Sequence, residues 1–153
     1  MGVVAVKEEI YDAVMDASPK GAVELFHGYT YSGIPIAVAA ALAVQDIFEK
    51  EDIFKRSKEM SPYFLDSIFS LKDLDGVDNI RGYGMMAGID IKLKEKPGRA
   101  GFECFKACYE VGVNFKATGD CLIIAPPFIS EKKHIDEMID KLRSGIKAHS
   151  KSI

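Results

Sequence analysis

A chain of 153 residues, 48% of them hydrophobic, is long enough for a domain with a real core and apolar enough to fill it. Its charged residues, 28% of the total, nearly cancel to a net charge of −3, so there is no electrostatic footprint for nucleic acid or an anionic membrane. The longest apolar run, Ile34 to Val44, falls far short of the roughly 20 residues that span a bilayer, and the three cysteines, without a signal peptide, read as reduced thiols of a cytoplasmic protein.

Met1 to Val6 reads as a buried strand. Lys7 to Met15 follows as a short helix with Ile10, Tyr11 and Val14 on one face, ending before Ser18-Pro19-Lys20-Gly21. The next stretch, Glu24 to Pro35, crowds aromatic rings, a histidine and hydroxyls into a Gly-punctuated loop that opens onto a helix at Pro35. Proline suits the first helical turn, and Ser32 or Gly33 can cap the same end. Free amides and the positive end of the helix dipole there attract a phosphate or carboxylate, with Thr30 and Ser32 adding hydroxyl donors. Spacing leaves a second reading open, an ordinary capped helix with its aromatics in a core. From Pro35 to about Lys50 the helix is rich in alanine (Ala37, Ala39, Ala40, Ala41, Ala43), which allows close approach between domains or subunits.

Asp52 is expected to cap the next helix, where Ile53, Ser57, Met60, Phe64 and Ile68 recur at helical spacing towards Leu71. Pro62 should kink it or mark a restart. Asp73 to Gly76 is a turn, and Val77 to Ile80 and Met85 to Leu93 read as strands. Arg81 reads equally as an anion ligand or as half of a structural ion pair. After the solvated loop Lys94 to Gly98, Arg99 to Val111 is a helix with Phe102, Phe105, Cys108 and Tyr109 inward, closed by Gly112. Cys104 and Cys108 share a face of it, but no further ligands stand at metal-binding spacing, so both are packing thiols. Val113 to Lys116 is a short strand, Ala117 to Asp120 a turn, and Cys121 to Ala125 a strand ending at Pro126-Pro127. Ser130 caps the last helix, whose apolar stripe is Ile135, Met138, Ile139, Leu142 and Ile146. The fold class is α/β, α+β-like at the C-terminal end: a mainly antiparallel sheet covered on one face by helices and preceded by a long helix. On its residues alone Lys116 is a solvated strand-end lysine.

The string Phe26-His27-Gly28-Tyr29-Thr30-Tyr31-Ser32-Gly33-Ile34-Pro35 resembles the FxHGxTYSGHP signature of class III (subgroup II) pyridoxal-phosphate aminotransferases, of the omega-amino acid or beta-alanine:pyruvate type. Met1 to Ala13 is similar to an interior segment of that family, Ile80 to Ile91 to its IRxxGLMAGIEL strand pair, and Val113 to Phe128 to its LLVRxTGDTIxLSPPL segment. The resemblance implies a C-terminal portion of a fold type I transferase. Residues 1–50 would be the tail of the large cofactor-binding domain, 51–72 an interdomain helix and 73–153 the small domain. It implies that Thr30 reaches the phosphate of a neighbouring subunit's pyridoxal 5'-phosphate with Tyr29 beside it, in a homodimer or tetramer. Ile34 departs from the family's histidine. Lys116 stands where the family's arginine binds substrate carboxylate, keeping the charge but losing the planar fork.

The same alignment puts the cofactor-bearing lysine upstream of Met1. Lys7, past the strand and at a helix start, does not take that role, so no catalytic residue is expected in this chain and alone it should be inactive. The complete enzyme is expected to move an amino group from an omega-amino acid or amine to pyruvate. The reading from another class is a non-catalytic module that binds a phosphorylated ligand or serves dimerisation.

Overall fold

The computed structural model describes residues 2–21, 30–92 and 97–151. The chain divides into two units, Met1–Lys50 and Glu51–Ile153.

In the first unit, α1 (Glu8–Asp16) starts after Lys7, whose backbone is extended and whose carbonyl accepts from the amides of Ile10 and Tyr11. Glu8 and Glu9 in the first turn complement the dipole. At the other end the Ser18 hydroxyl donates to the Val14 carbonyl at 3.1 Å. The expected strand at Met1–Val6 is not found: residues 2–7 adopt no strand, and Val3 and Val4 are exposed. A strand persists only where a neighbour completes its ladder, and no other strand exists among the described residues of this unit. α2 (Pro35–Lys50) begins where the proline predicts, but its N-cap is Ile34, whose carbonyl accepts from Val38 N–H at 3.0 Å, rather than Ser32 or Gly33. Neither helix has a buried residue, so Ile10 and Tyr11 of α1 and Ile36 and Leu42 of α2 lie open.

The second unit contains α3 (Ile53–Phe69), β1 (Val77–Tyr83), β2 (Met86–Ile91), α4 (Ala100–Glu110), β3 (Lys116–Thr118), β4 (Cys121–Ile124) and α5 (Lys132–Lys151). Its four strands lie in the order β1-β2-β4-β3, each pair antiparallel, as the expected fold class requires. Ala87, Ile89 and Ile91 of β2 and Leu122 and Ile124 of β4 alternate into one core with Phe64 and Ile68 of α3 and Ile135, Leu142 and Ile146 of α5. α3 runs unbroken through Pro62, without a restart. Asp52 occupies its N-cap in a left-handed conformation (φ 49°) and makes no side-chain cap, because capping needs extended backbone to aim the carboxylate at the first-turn amides.

α4 turns a different face inward from the one its aromatics suggest. Gly101, Cys104 and Cys108 are buried, while Phe102 and Tyr109 are more than half exposed. The cause is the closeness of α5: a Cβ on Gly145 would lie 2.6 Å from both the Cα and the Sγ of Cys108. Only small residues fit that crossing. Phe105 instead builds an edge cluster with Phe102, Tyr109 and Phe115, centroids 5.4–6.1 Å away. α4 ends in a Schellman motif, with Gly112 at φ 85° donating to Tyr109 and Val113 donating to Cys108. Its first turn has no local side-chain cap. The carboxylate of Asp120, from the β3–β4 turn, accepts from the amides of Gly98 and Ala100 at 2.8–2.9 Å. Among the described residues no helix is long and apolar enough to cross a membrane.

Gly145→Ala should destabilise the second unit by about 1–3 kcal/mol through overpacking against the α4 backbone. That lowers the melting temperature by roughly 4–8 °C per kcal/mol. Asp120→Ala should cost about 1 kcal/mol, as loss of a helix cap does. Thermal melts followed by circular dichroism check both; a Gly145→Ala variant melting with the parent contradicts the close crossing.

Candidate functional site

Because strand side chains alternate, the residues that do not enter the core form a second face of the sheet. The register sets Arg81 opposite Gly88, Gly88 opposite Ile123, and Ile123 opposite Lys116, one row across all four strands. The neighbouring row is Asn79, Asp90, Cys121 and Thr118. A hollow of about 610 Å³ lies over Arg81, Gly88, Thr118 and Cys121.

Gly88 makes this face possible. A Cβ there would sit 3.3 Å from the guanidinium carbon of Arg81 and 3.2 Å from Cys121 Sγ. With only hydrogen at that point, the Arg81 side chain lies flat on the sheet, its Nη1 paired with the Asp90 carboxylate and its Nη2 donating to Cys121 Sγ at 3.4 Å. Partial burial of Asp90 works to raise its pKa, but the hydrogen bonds from Arg81 and Cys121, with the Arg81 charge, outweigh it and hold the carboxyl below the ordinary range. Burial, then the hydrogen bond to Asp90, pushes the Cys121 thiol up, so it stays protonated at neutral pH. Of the two sequence readings of Arg81, the ion pair is the one found, and the pair is neutral. In the core of the same unit, the hydrogen bond with Cys108 and then burial raise the Cys104 thiol, which stays protonated and packs.

Lys116, first residue of β3, is exposed and has no ion pair among the described residues. It is therefore the uncompensated cation of the Arg81 row. It also stands at the rim of a cleft of about 570 Å³ beside α5.

Thr30 opens the turn that leads into α2, exposed and followed by Tyr31 and Ser32. Ile34 at the N-cap carries no side-chain acceptor, so nothing on that residue competes for the free amides of the first turn of α2. Thr30 and Ser32 precede those amides in sequence, with no acidic side chain from 30 to 34, a composition compatible with an anion at that helix start. Tyr29, with Phe26 and His27, lies outside the described residues. Thr30 belongs to the first unit and Lys116 to the second.

The Arg81–Asp90–Cys121 cluster escapes sequence reasoning. Its one local signal is a glycine, Gly88, inside a strand otherwise rich in apolar residues; which residue crosses it depends on register with β1 and β4.

The model of the class-III aminotransferases matches residues 1–146, and the chain belongs to that family. It is 39% identical over 143 residues to the omega-aminotransferase of Caulobacter vibrioides, covering 93% of this chain and 32% of that protein. It is 34% identical over 142 residues to the beta-alanine–pyruvate aminotransferase of Pseudomonas aeruginosa, covering 92% and 32%. In three dimensions it is similar to the crystal structure of the adenosylmethionine-8-amino-7-oxononanoate aminotransferase of Methanocaldococcus jannaschii, with a TM-score of 0.74, 31% identity, and coverage of 92% of this chain and 34% of that one. The chain thus spans about a third of the length of these relatives.

The lowered pKa of Asp90 makes its contribution to stability present above about pH 4 and lost as pH falls through its folded value. Asp90→Asn should melt below the parent at pH 7, and the two should converge as the pH is taken to 3. Melting curves at pH 7, 5 and 3 check this.

Proposed function

We propose that this chain is the part of a pyridoxal-phosphate aminotransferase that supplies a phosphate clamp through Thr30 and a substrate-end wall through Lys116. The complete enzyme would transfer an amino group from an omega-amino acid or amine, such as beta-alanine, to pyruvate. The observation that carries the reading is the family match across residues 1–146, with Thr30 standing beside the start of α2.

Residues 1–50 would belong to the cofactor-binding domain, 51–72 to an interdomain helix and 73–153 to the small domain. The bound cofactor supplies an electron sink for the carbon that loses its proton. This chain's own residues do three other things. The Thr30 hydroxyl and the first amides of α2 hold a dianionic phosphate, with Tyr29 at the mouth of the same site. The Lys116 ammonium attracts the carboxylate of the amino donor or keto acid as a point charge, orienting the substrate less sharply than a two-point guanidinium would. Arg81, its charge balanced by Asp90, leaves Lys116 as the uncompensated cation of that row. The exposed apolar side chains of α1 and α2 support burial against another subunit in a homodimer or tetramer, and the composition suits a cytoplasmic enzyme.

In the complete enzyme, Thr30→Ala should weaken cofactor binding by roughly 10–100-fold, the worth of a hydrogen bond to a charged group, while Thr30→Ser retains most of it. Lys116→Arg should lower the KM for pyruvate, and Lys116→Gln should raise it by about tenfold or more. Cofactor titration of the apoenzyme and steady-state kinetics measure these effects. Unchanged cofactor affinity in Thr30→Ala contradicts the clamp, and an unchanged KM in both Lys116 variants contradicts the wall.

A further inference from the structure

We propose that Asp120 is a positioning residue for the substrate end of the site: it moors the β3–β4 turn to the start of α4 and so holds the three-residue edge strand β3, with Lys116 on it, in place. It acts through Lys116, so its part in turnover rests on the transaminase reading of that lysine.

The ladder alone holds β3 poorly. Strands in globular proteins usually run to about five or six residues. β3 has only Lys116, Ala117 and Thr118, opposed by Ile123, Leu122 and Cys121 of β4, and no described strand lies on its other side. Lys116 stands at the last rung, furthest from the β3–β4 turn. Short edge segments of this kind belong to the part of a fold that opens most easily. What fixes Lys116 must come from contacts outside the ladder.

Those contacts converge on the turn. Both carboxylate oxygens of Asp120 accept from the amide of Gly98, at 2.8 and 2.9 Å, and one of them also accepts from Ala100 at 2.9 Å. The Asp120 carbonyl accepts from the amide of Ile91, at the end of β2, at 2.9 Å. Beside it the amide of Gly101 donates to the Gly119 carbonyl at 3.2 Å. A Cβ on Gly101 would lie 2.7 Å from that carbonyl oxygen and 3.0 Å from the carbonyl carbon of Asp120, so the turn rests directly on the backbone of α4. At the other end of the strand Phe115, next to Lys116, meets Phe105 of α4 edge-on with centroids 5.4 Å apart. Both ends of β3 are thereby referred to α4, which the crossing at Cys108 and Gly145 fixes on α5.

The Asp120 carboxylate is occupied by these amides, so its influence on a substrate passes through the strand and not through contact. Hydrogen bonds to a charged acceptor are about twice as strong as neutral ones. Removing the carboxylate releases the turn from α4 and lets the edge strand shift. A displacement of about 1 Å at an orienting group can cost up to about 100-fold. Lys116 holds substrate and does not react with it, so the loss falls on KM.

The test combines kinetics of the complete enzyme with amide hydrogen exchange of the 153-residue chain. Asp120→Ala should raise the KM for pyruvate by about 3–10-fold with kcat within about twofold of the parent, and Asp120→Asn, which keeps one acceptor, should recover part of the loss. In a Lys116→Gln background Asp120→Ala should add less than about twofold, because the group it positions is gone. A cap that only stabilised the fold would lower the amount of active protein, and with it the apparent kcat, and leave KM alone. In the 153-residue chain, exchange of the β3 amides should rise several-fold more in Asp120→Ala than exchange of the α5 amides. The exchange measurement needs no turnover: an inactive complete enzyme contradicts the transaminase reading, and exchange then decides whether Asp120 holds the strand. An active parent with unchanged KM in Asp120→Ala, a full effect persisting in the Lys116→Gln background, or β3 exchange rising no more than that of α5 overturns the proposal.

Discussion

The crossing of α4 over α5 at Cys108 and Gly145 is the contact on which the second unit depends. It admits no side chain larger than hydrogen at position 145, and it fixes the helical layer against one face of the sheet. Once that face is covered, alternation along β2 and β4 decides everything about the other. Gly88 is pinned on the open side, Arg81 lies across it, and Asp90 and Cys121 take up the guanidinium. The arrangement turns what sequence shows as two cations in one row into a neutral pair and a single available charge. That charge is Lys116.

This division bears on how a carboxylate is recognised. A guanidinium engages both carboxylate oxygens in one plane, whereas an ammonium offers a compact charge with freely rotating donors. Arg81 stands on β1, at the opposite edge of the sheet from Lys116 on β3, and is committed to Asp90, so the row offers no guanidinium to make up the missing fork. Substrate selection at this end would rest on charge and on the apolar surroundings more than on planar geometry.

The local features of the fold were legible in sequence. The proline before α2, the stripe of α5, the glycine that closes α4 and the two strands around Tyr83 all fall within a few residues of where periodicity and turn chemistry put them. What sequence misplaced depends on distant neighbours. Val3 to Val6 have the composition of a strand, but a ladder is made by a partner and not by propensity. Phe102 and Tyr109 look like core residues until the closeness of α5 gives the interior to Gly101, Cys104 and Cys108. Asp52 and Ser130 are good capping residues by type, yet Asp52 has a left-handed backbone and α5 starts at Lys132 with Glu131, whose carbonyl accepts from Ile135, in the cap position. The candidate site followed the same rule: Thr30 and Lys116 came from a motif, whereas Arg81, Gly88 and Asp90 met only through register.

The chain belongs to the class-III aminotransferases, and the proposed activity of the complete protein is amino transfer to a keto acid. The most direct measurement is the formation of alanine when the complete protein is incubated with pyruvate, beta-alanine and pyridoxal phosphate. The account predicts alanine in equal amount to the beta-alanine consumed, dependent on added cofactor. Cofactor-loaded protein that forms no alanine from pyruvate with beta-alanine or with any other omega-amino acid or amine would contradict it.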